Sequence, residues 1–323
     1  MSFSRFRKGF QQRSPVATGT GDDTTNTSTQ FLLNKDYFTS EWKLRIISTQ
    51  PSTVAATGAH VLQAIKSVTL EFSGGKRGGN GQRVNISGQE LYDLMRINDN
   101  VPVPLTTFTA TLAKVEWTVD IYAALAGAYD DFMTGVYTAE FSQIKLTVNW
   151  NSYATAAIFS GGTLTGTTVT HTCSVTAINM PVPNTAPGSN SEFLATAQMT
   201  IRTQSKAPAA AGRGDDVLLQ TGQKLRYLLI SSYTAGGVLS DAIVDKVYFN
   251  FAGWNWEATF AELKNANQHE RGFSETGRAF LDFGDQSEGF LDLTALNEAR
   301  LKWDALAAGT VRFAEVGMRA LNS

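Results

Sequence analysis

"IKSVTLEF" at residues 65–72 and "VDKVYFNF" at residues 244–251 share one template. Val68, Leu70 and Phe72 alternate with polar residues in the first, and Val247, Phe249 and Phe251 fall in the same slots of the second. Period-two alternation is the mark of a half-buried strand. Each strand ends on a small residue and a glycine, Ser73-Gly74 and Ala252-Gly253. A second echo follows. "SGQELYDLMRIN" starts with Ser87 and carries Glu90 three places on, while "TFAELKNANQ" starts with Thr259 and carries Glu262. Both spacings predict a capping box: the hydroxyl accepts an orphan helix N–H and the glutamate reaches back to the N–H of the cap. Val68 and Val247 are 179 positions apart, Leu91 and Leu263 are 172 apart, and "GGKRGGNGQ" at 74–82 absorbs the difference as an insertion. "SQIKLTVNW" and "ARLKWDAL" repeat the correspondence late in each half. The chain therefore holds two copies of one β-rich unit, each with a short capped helix.

The remaining runs agree. "EWKLRI" places Trp42, Leu44 and Ile46 on one face, "KVEWTVDI" does so with Val115, Trp117, Val119 and Ile121, and "QIKLTVNW" with Ile144, Leu146, Val148 and Trp150. "TVTHTCSV", "KLRYLLI", "RAFLDF", "FLDL" and "TVRFAEV" complete a set separated by Gly, Pro and Ser/Thr clusters, which is an all-β pattern. Residues 1–37 read as a flexible basic arm, because Arg5, Arg7, Lys8 and Arg13 precede any acid and "GTGDDTTNTSTQ" has no period. "MPVPNTAPGSNS" at 180–191 reads as a linker. The expected division is an arm at 1–37, a first sandwich with linker at 38–190 and a second sandwich at 191–323.

The 323 residues suffice for two cores. Net charge is −2, from 27 basic and 29 acidic residues, so no global nucleic-acid signature is present. Charged residues make up 17%, below the roughly 25% of an average soluble chain, which fits either extensive partner contacts or a surface rich in uncharged Thr, Ser and Asn. One cysteine, Cys173, rules out an internal disulfide. It shares a strand face with Val169 and Val175, as a core thiol would. There is no apolar run of membrane-spanning length and no apolar h-region near the start, and the expected site of synthesis is a cytoplasm.

The blocks "AIKSVTLEFSGG", "ISGQELYDLM", "VDKVYFNFAGWNWEATFAEL" and "GRAFLDFGDQSEGFLDLTALNEARLKWDAL", closed by "TVRFAEVGM", resemble in order and pattern the double jelly-roll major capsid proteins of tailless double-stranded DNA viruses. The shorter members, in membrane-containing phages of the corticovirus and tectivirus kind, are the nearest in style. The resemblance runs over residues 38–323. It implies two eight-stranded jelly rolls, a homotrimer that is pseudo-hexagonal and tiles an icosahedral shell, no enzymatic activity and no cofactor. It also implies termini toward the interior of the virion, assembly in the host cytoplasm, and neighbouring trimers, penton and minor capsid proteins as partners. Internal lipid or packaged DNA, bound non-specifically, are the other partners it raises. Arg5, Arg7, Lys8 and Arg13 are then expected on the inner face. The alternative is a tandem β-sandwich adhesin or carbohydrate-binding module.

Candidate chemistry is sparse. His60, His171 and His269 have no metal-ligand spacing, and no G-x-S-x-G occurs. "GGKRGGNGQ" lacks the spacing of a phosphate loop. "DFGDQSE" and "AYDD" offer paired carboxylates of the sort a glycosidase uses, although turn carboxylates are mostly solvated caps. Trp254 and Trp256 could stack on sugars, but their alternation with Asn255 suits burial. Arg213-Gly214-Asp215 is an RGD tripeptide, and Asn26 and Asn85 lie in N-x-S/T sequons.

Overall fold

The computed structural model describes residues 12–33, 38–49, 64–75, 81–99, 114–122, 136–152, 169–180, 197–251, 254–285 and 291–320. The chain divides into two compact units. One comprises Met1–Tyr92, Val103–Met199 and Ala320–Ser323, the other Asp93–Pro102 and Thr200–Arg319.

In chain order the first elements are β1 (Gln12–Asp22), β2 (Ser28–Leu32), β3 (Phe38–Thr49), β4 (Ile65–Ser73), β5 (Gly81–Ile86), α1 (Gly88–Asp99), β6 (Lys114–Tyr122), β7 (Val136–Tyr137), β8 (Gln143–Trp150) and β9 (Thr170–Met180). One sheet of the first unit has the order β1-β9-β3-β6, with β7 on β3, and the other has β5-β4-β8-β2. The chain thus alternates between two sheets, and the core lies where their inner faces meet. Trp42, Leu44, Ile46, Val119, Ile121, Val68, Leu70, Phe72, Ile144, Leu146, Val148 and Trp150 are all buried, as their alternation predicts.

The second set is β10 (Ala197–Lys206), β11 (Gly212–Arg213), β12 (Val217–Leu219), β13 (Lys224–Thr234), β14 (Val244–Phe251), β15 (Trp254–Thr259), α2 (Phe260–Arg271), β16 (Arg278–Asp282), β17 (Leu291–Asp292), β18 (Ala299–Ala305) and β19 (Gly309–Ala320). Here the orders are β10-β19-β13-β16, with β17 on β13, and β15-β14-β18, with β11 and β12 both on β18. If β11 and β12 count as one interrupted strand, each unit has the same eight-strand path and the same place for its helix. This is a double jelly roll. The paired sequences occupy equivalent places: β4 with β14, α1 with α2, β8 with β18.

The seven-residue difference is accounted for strand by strand. Eight residues lie between the paired Phe72 and Gly81, against two between Phe251 and Trp254. The last one is Arg83, left over where the register shifts between Leu70 and Glu71.

Both helix starts have the expected cap. Ser87 N–H donates to Glu90 Oε2 at 3.0 Å while Glu90 N–H donates to Ser87 Oγ at 3.3 Å. Thr259 and Glu262 do the same at 2.8 and 3.2 Å.

The expected arm at 1–37 is corrected. Residues 12–22 form β1, paired antiparallel along β9 from Gln12↔Asn179 to Asp22↔Thr170, and residues 28–32 form β2 on β8. The alternation is hidden in the sequence because the inward positions of β1 hold Ala17, Gly19 and Gly21. A side chain at Gly21 would meet Trp150 Nε1 at 2.2 Å, and one at Gly19 would meet Thr29 at 2.8 Å. Small residues are needed there, so no apolar stripe shows. The two units part at Met199/Thr200 rather than at 190/191. Residues 181–191 of the linker lie outside the described residues.

Candidate functional site

Arg5, Arg7, Lys8, His60, the "AYDD" acids and Lys76 and Arg77 of the glycine-rich stretch lie outside the described residues. Arg13 belongs to β1, opposite Ile178.

The carboxylate of Asp282 in "DFGDQSE" is occupied. Arg226 lies 3.2 Å from one oxygen and Arg271 2.7 Å from the other, and Gly284 N–H donates to it at 2.7 Å. Both of its oxygens are thus taken up by guanidinium groups of the fold. The RGD tripeptide is likewise built in. Arg213 bonds Asp216 at 2.5 Å and its guanidinium sits over the Tyr248 ring, Gly214 N–H donates to Trp303 O, and Trp303 Nε1 donates to Asp215 O. Trp256 packs on the core of its unit, its ring 5.8 Å from that of Phe249. Asn26 Nδ2 donates to Thr20 O within the turn after β1, and Asn85 is exposed on β5. Among the described residues no three His, Cys, Asp or Glu side chains cluster as a metal site, and no helix is long and apolar enough to cross a membrane.

Cys173 is buried and desolvation pushes its thiol up to about 12, which leaves it inert as a nucleophile. His269 sits exposed in the last turn of α2. His171 is different. It is wholly buried, its Nδ1 is hydrogen-bonded with Ser48 Oγ at 2.8 Å, and its ring stacks on Trp150 with centroids 4.0 Å apart. Burial pulls its pKa down to about 3, against the opposing pull of Asp22.

Polar clusters that the sequence did not announce tie distant segments together. In the second unit Arg278 pairs with Asp93 and with Glu275, Arg96 pairs with Glu275, and both arginines lie over the Phe273 ring. Glu315, also buried, accepts from Gln204 Nε2 at 2.8 Å and Gln220 N–H at 2.7 Å, and desolvation raises its pKa despite those bonds. Their sequence signal is weak: polar residues on otherwise apolar strands and helices. These sites tie segments within the second unit, and none presents a free acid–base pair or nucleophile.

No family model and no curated protein matches the chain. Solved structures do. The STIV MCP aligns at TM-score 0.71 and 15% identity, over 96% of this chain and 97% of that one. The major capsid protein P2 from bacteriophage PM2 aligns at TM-score 0.60 and 14% identity, over 96% and 98%. A chain of the PBCV-1 virus capsid aligns at 0.58 and 11%, over 96% and 94%. At these identities the likeness establishes the fold, across both rolls.

Proposed function

We propose that this chain is the major capsid protein of a tailless double-stranded DNA virus, a non-enzymatic subunit that self-assembles as a trimer and tiles an icosahedral shell. The observation that carries the reading is near-complete mutual coverage: both rolls, in one order, match capsid proteins over almost the full length of each. Of the residues nominated for sugar chemistry, Asp282 and Trp256 are engaged in the packing of the fold. A trimer of double rolls presents six similar blocks, so a chain with three copies can meet six neighbours.

The polarity of the first unit supports an inward-facing basic arm. Neighbouring strands are antiparallel throughout. The β3–β4, β5–β6 and β8–β9 connections therefore leave from the end opposite the start of β1. Residues 50–63, 100–113 and 151–168 of these connections contain no Asp, Glu, Lys or Arg. Connections at the other end carry both signs, Lys35, Lys76 and Arg77 with Asp36, Asp130, Asp131 and Glu140, and Arg5, Arg7, Lys8 and Arg13 add positive charge at the start of β1. The positive character of that end therefore rests on Arg5, Arg7, Lys8 and Arg13 themselves, and a basic arm of this kind suits an anionic interior, either lipid headgroups or packaged DNA. Penton and minor capsid proteins complete the proposed partners.

The test is sedimentation of the purified full chain at micromolar concentration with electron microscopy of the same material. Trimers and shells are expected, because obligate interfaces of this kind bury on the order of 2,000 Å² or more. A persistent 35.0 kDa species with no particles would overturn the proposal.

A further inference from the structure

One cluster in the first unit joins the two sheets, and it is built around a side chain that can change charge. His171 on β9 stacks on Trp150 of β8, at an interplanar angle of 16°. Trp150 Nε1 donates to Thr29 Oγ1 on β2 at 3.0 Å, and Thr29 Oγ1 donates to Thr20 O on β1 at 3.0 Å. On the other side, Ser48 of β3 shares its hydrogen bond with His171. Strands β1, β3 and β9 belong to one sheet, β2 and β8 to the other. The end of the sandwich is closed close by: Trp150 N–H donates to Thr27 O, Asn151 N–H to Ala64 O, and Val169 N–H to Asp23 Oδ1.

We propose that His171 is an acid-sensitive latch, which holds the two sheets of the first roll together at the β1–β2 end while neutral and loosens that end when it is protonated. A neutral imidazole carries one donor nitrogen, one acceptor nitrogen and an apolar face; Ser48 bonds Nδ1 and Trp150 covers the face. An imidazolium would place a charge in a site with no exposure, and both ring nitrogens would become donors, so Ser48 could only accept. The groups facing it give limited relief. Asp22, next to the Gly21 that pairs with His171, is the acid whose charge acts on it. Its Oδ1 is committed to the backbone N–H groups of Thr24, Thr25 and Asn26 at 2.7, 2.5 and 3.0 Å. Burial works against that carboxylate, but these bonds hold it well below the usual carboxylate range, so it stays charged while His171 titrates. Asp23 is buried and bonded to Val169. Cys173, two places along β9, stays neutral throughout. The facing positions of β2, β3 and β8 are the uncharged Thr29, Ser48 and Trp150.

The sign follows from linkage. The folded-state pKa lies below the unfolded value of 6.5, so the stabilisation is complete above pH 6.5 and is lost as pH falls toward 3. Over that window each pH unit raises the opening constant of the site about tenfold. The experiment is hydrogen exchange of the full chain, wild type against His171→Gln, compared at the same pH from 7 down to 4.5. Peptides covering 12–33 and 169–180 should lose protection in the wild type by about 100-fold more than in the variant across that range. Peptides of 224–234 should behave alike in both. Equal acid sensitivity of the two proteins in 12–33 and 169–180 would overturn the latch. If His171→Gln fails to fold, direct NMR titration of the imidazole in the wild type decides: a folded-state pKa far below 6.5 supports the proposal, and an ordinary one ends it.

Discussion

Ser87 and Thr259 do the same job in unlike surroundings. Ser87 is 5% exposed and Glu90 0%, whereas Thr259 and Glu262 face solvent. Losing an N-cap hydroxyl costs about 1 kcal/mol in either place. In Ser87→Ala the buried Glu90 carboxylate also loses the donor of the 2.9 Å bond from Ser87 Oγ, and water cannot replace it. That adds about 1–3 kcal/mol. Ser87→Ala should therefore destabilise the full chain distinctly more than Thr259→Ala in urea unfolding. Equal losses would mean that burial at the first cap has no energetic weight. The spacing was legible in the sequence at both places, as S-x-x-E at Ser87 and T-x-x-E at Thr259. The difference in burial was not, because "GQELYDLMRIND" carries polar residues at Gln89, Glu90, Asp93 and Arg96, as an exposed helix would. Asp93 finds its partner 185 positions away, at Arg278, and no local pattern encodes such a pairing.

At the scale of elements, the strands whose inner positions carry large apolar residues were readable, and β1 was not. Alternation is visible only where the neighbour leaves room for a side chain, and at Gly19 and Gly21 the room is taken by Thr29, Phe31 and Trp150. Helix α2 shows another device hidden from sequence. It lies beside β16, the outermost strand of its sheet. Asn267 Nδ2 donates to Phe280 O at 2.9 Å and Phe280 N–H donates to Asn267 Oδ1 at 2.8 Å, so one side-chain amide imitates a neighbouring strand. This satisfies the edge of β16 at Phe280 and blocks pairing with another chain there. Asn267→Ala leaves a buried donor and a buried acceptor without that partner, at about 1–3 kcal/mol for each. Thermal unfolding should show a clear drop in Tm, and sedimentation should show association that the wild type lacks. Unchanged values in both would remove the edge-capping role. Asn267→Asp separates the two bonds, since it keeps the acceptor for Phe280 N–H and sets a second acceptor against Phe280 O.

For the whole molecule, the start of β1 is the boundary that two truncations probe. β1 is an integral strand, with ten residue pairs along β9 and the Gly21 surface on which Trp150 rests. Removing residues 2–22 deletes it, exposes the far edge of β9 and uncovers Phe31, Trp150 and His171. Each large apolar side chain so exposed forfeits roughly 1.5–3 kcal/mol, and stability margins are about 5–15 kcal/mol in total. That truncation should yield insoluble or uncooperatively melting protein. Removing only residues 2–11 takes away Arg5, Arg7 and Lys8 together with Phe3, Phe6 and Phe10, and leaves every described strand in place. The shorter truncation should keep wild-type Tm and a trimeric sedimentation profile but form shells or virions poorly, because the basic aromatic segment is where an anionic surface or a neighbouring trimer would be gripped. The two truncations together locate the boundary. Intact shells from the protein lacking 2–11 would take the arm out of assembly, and a soluble, cooperatively melting protein lacking 2–22 would show that the first roll closes without β1.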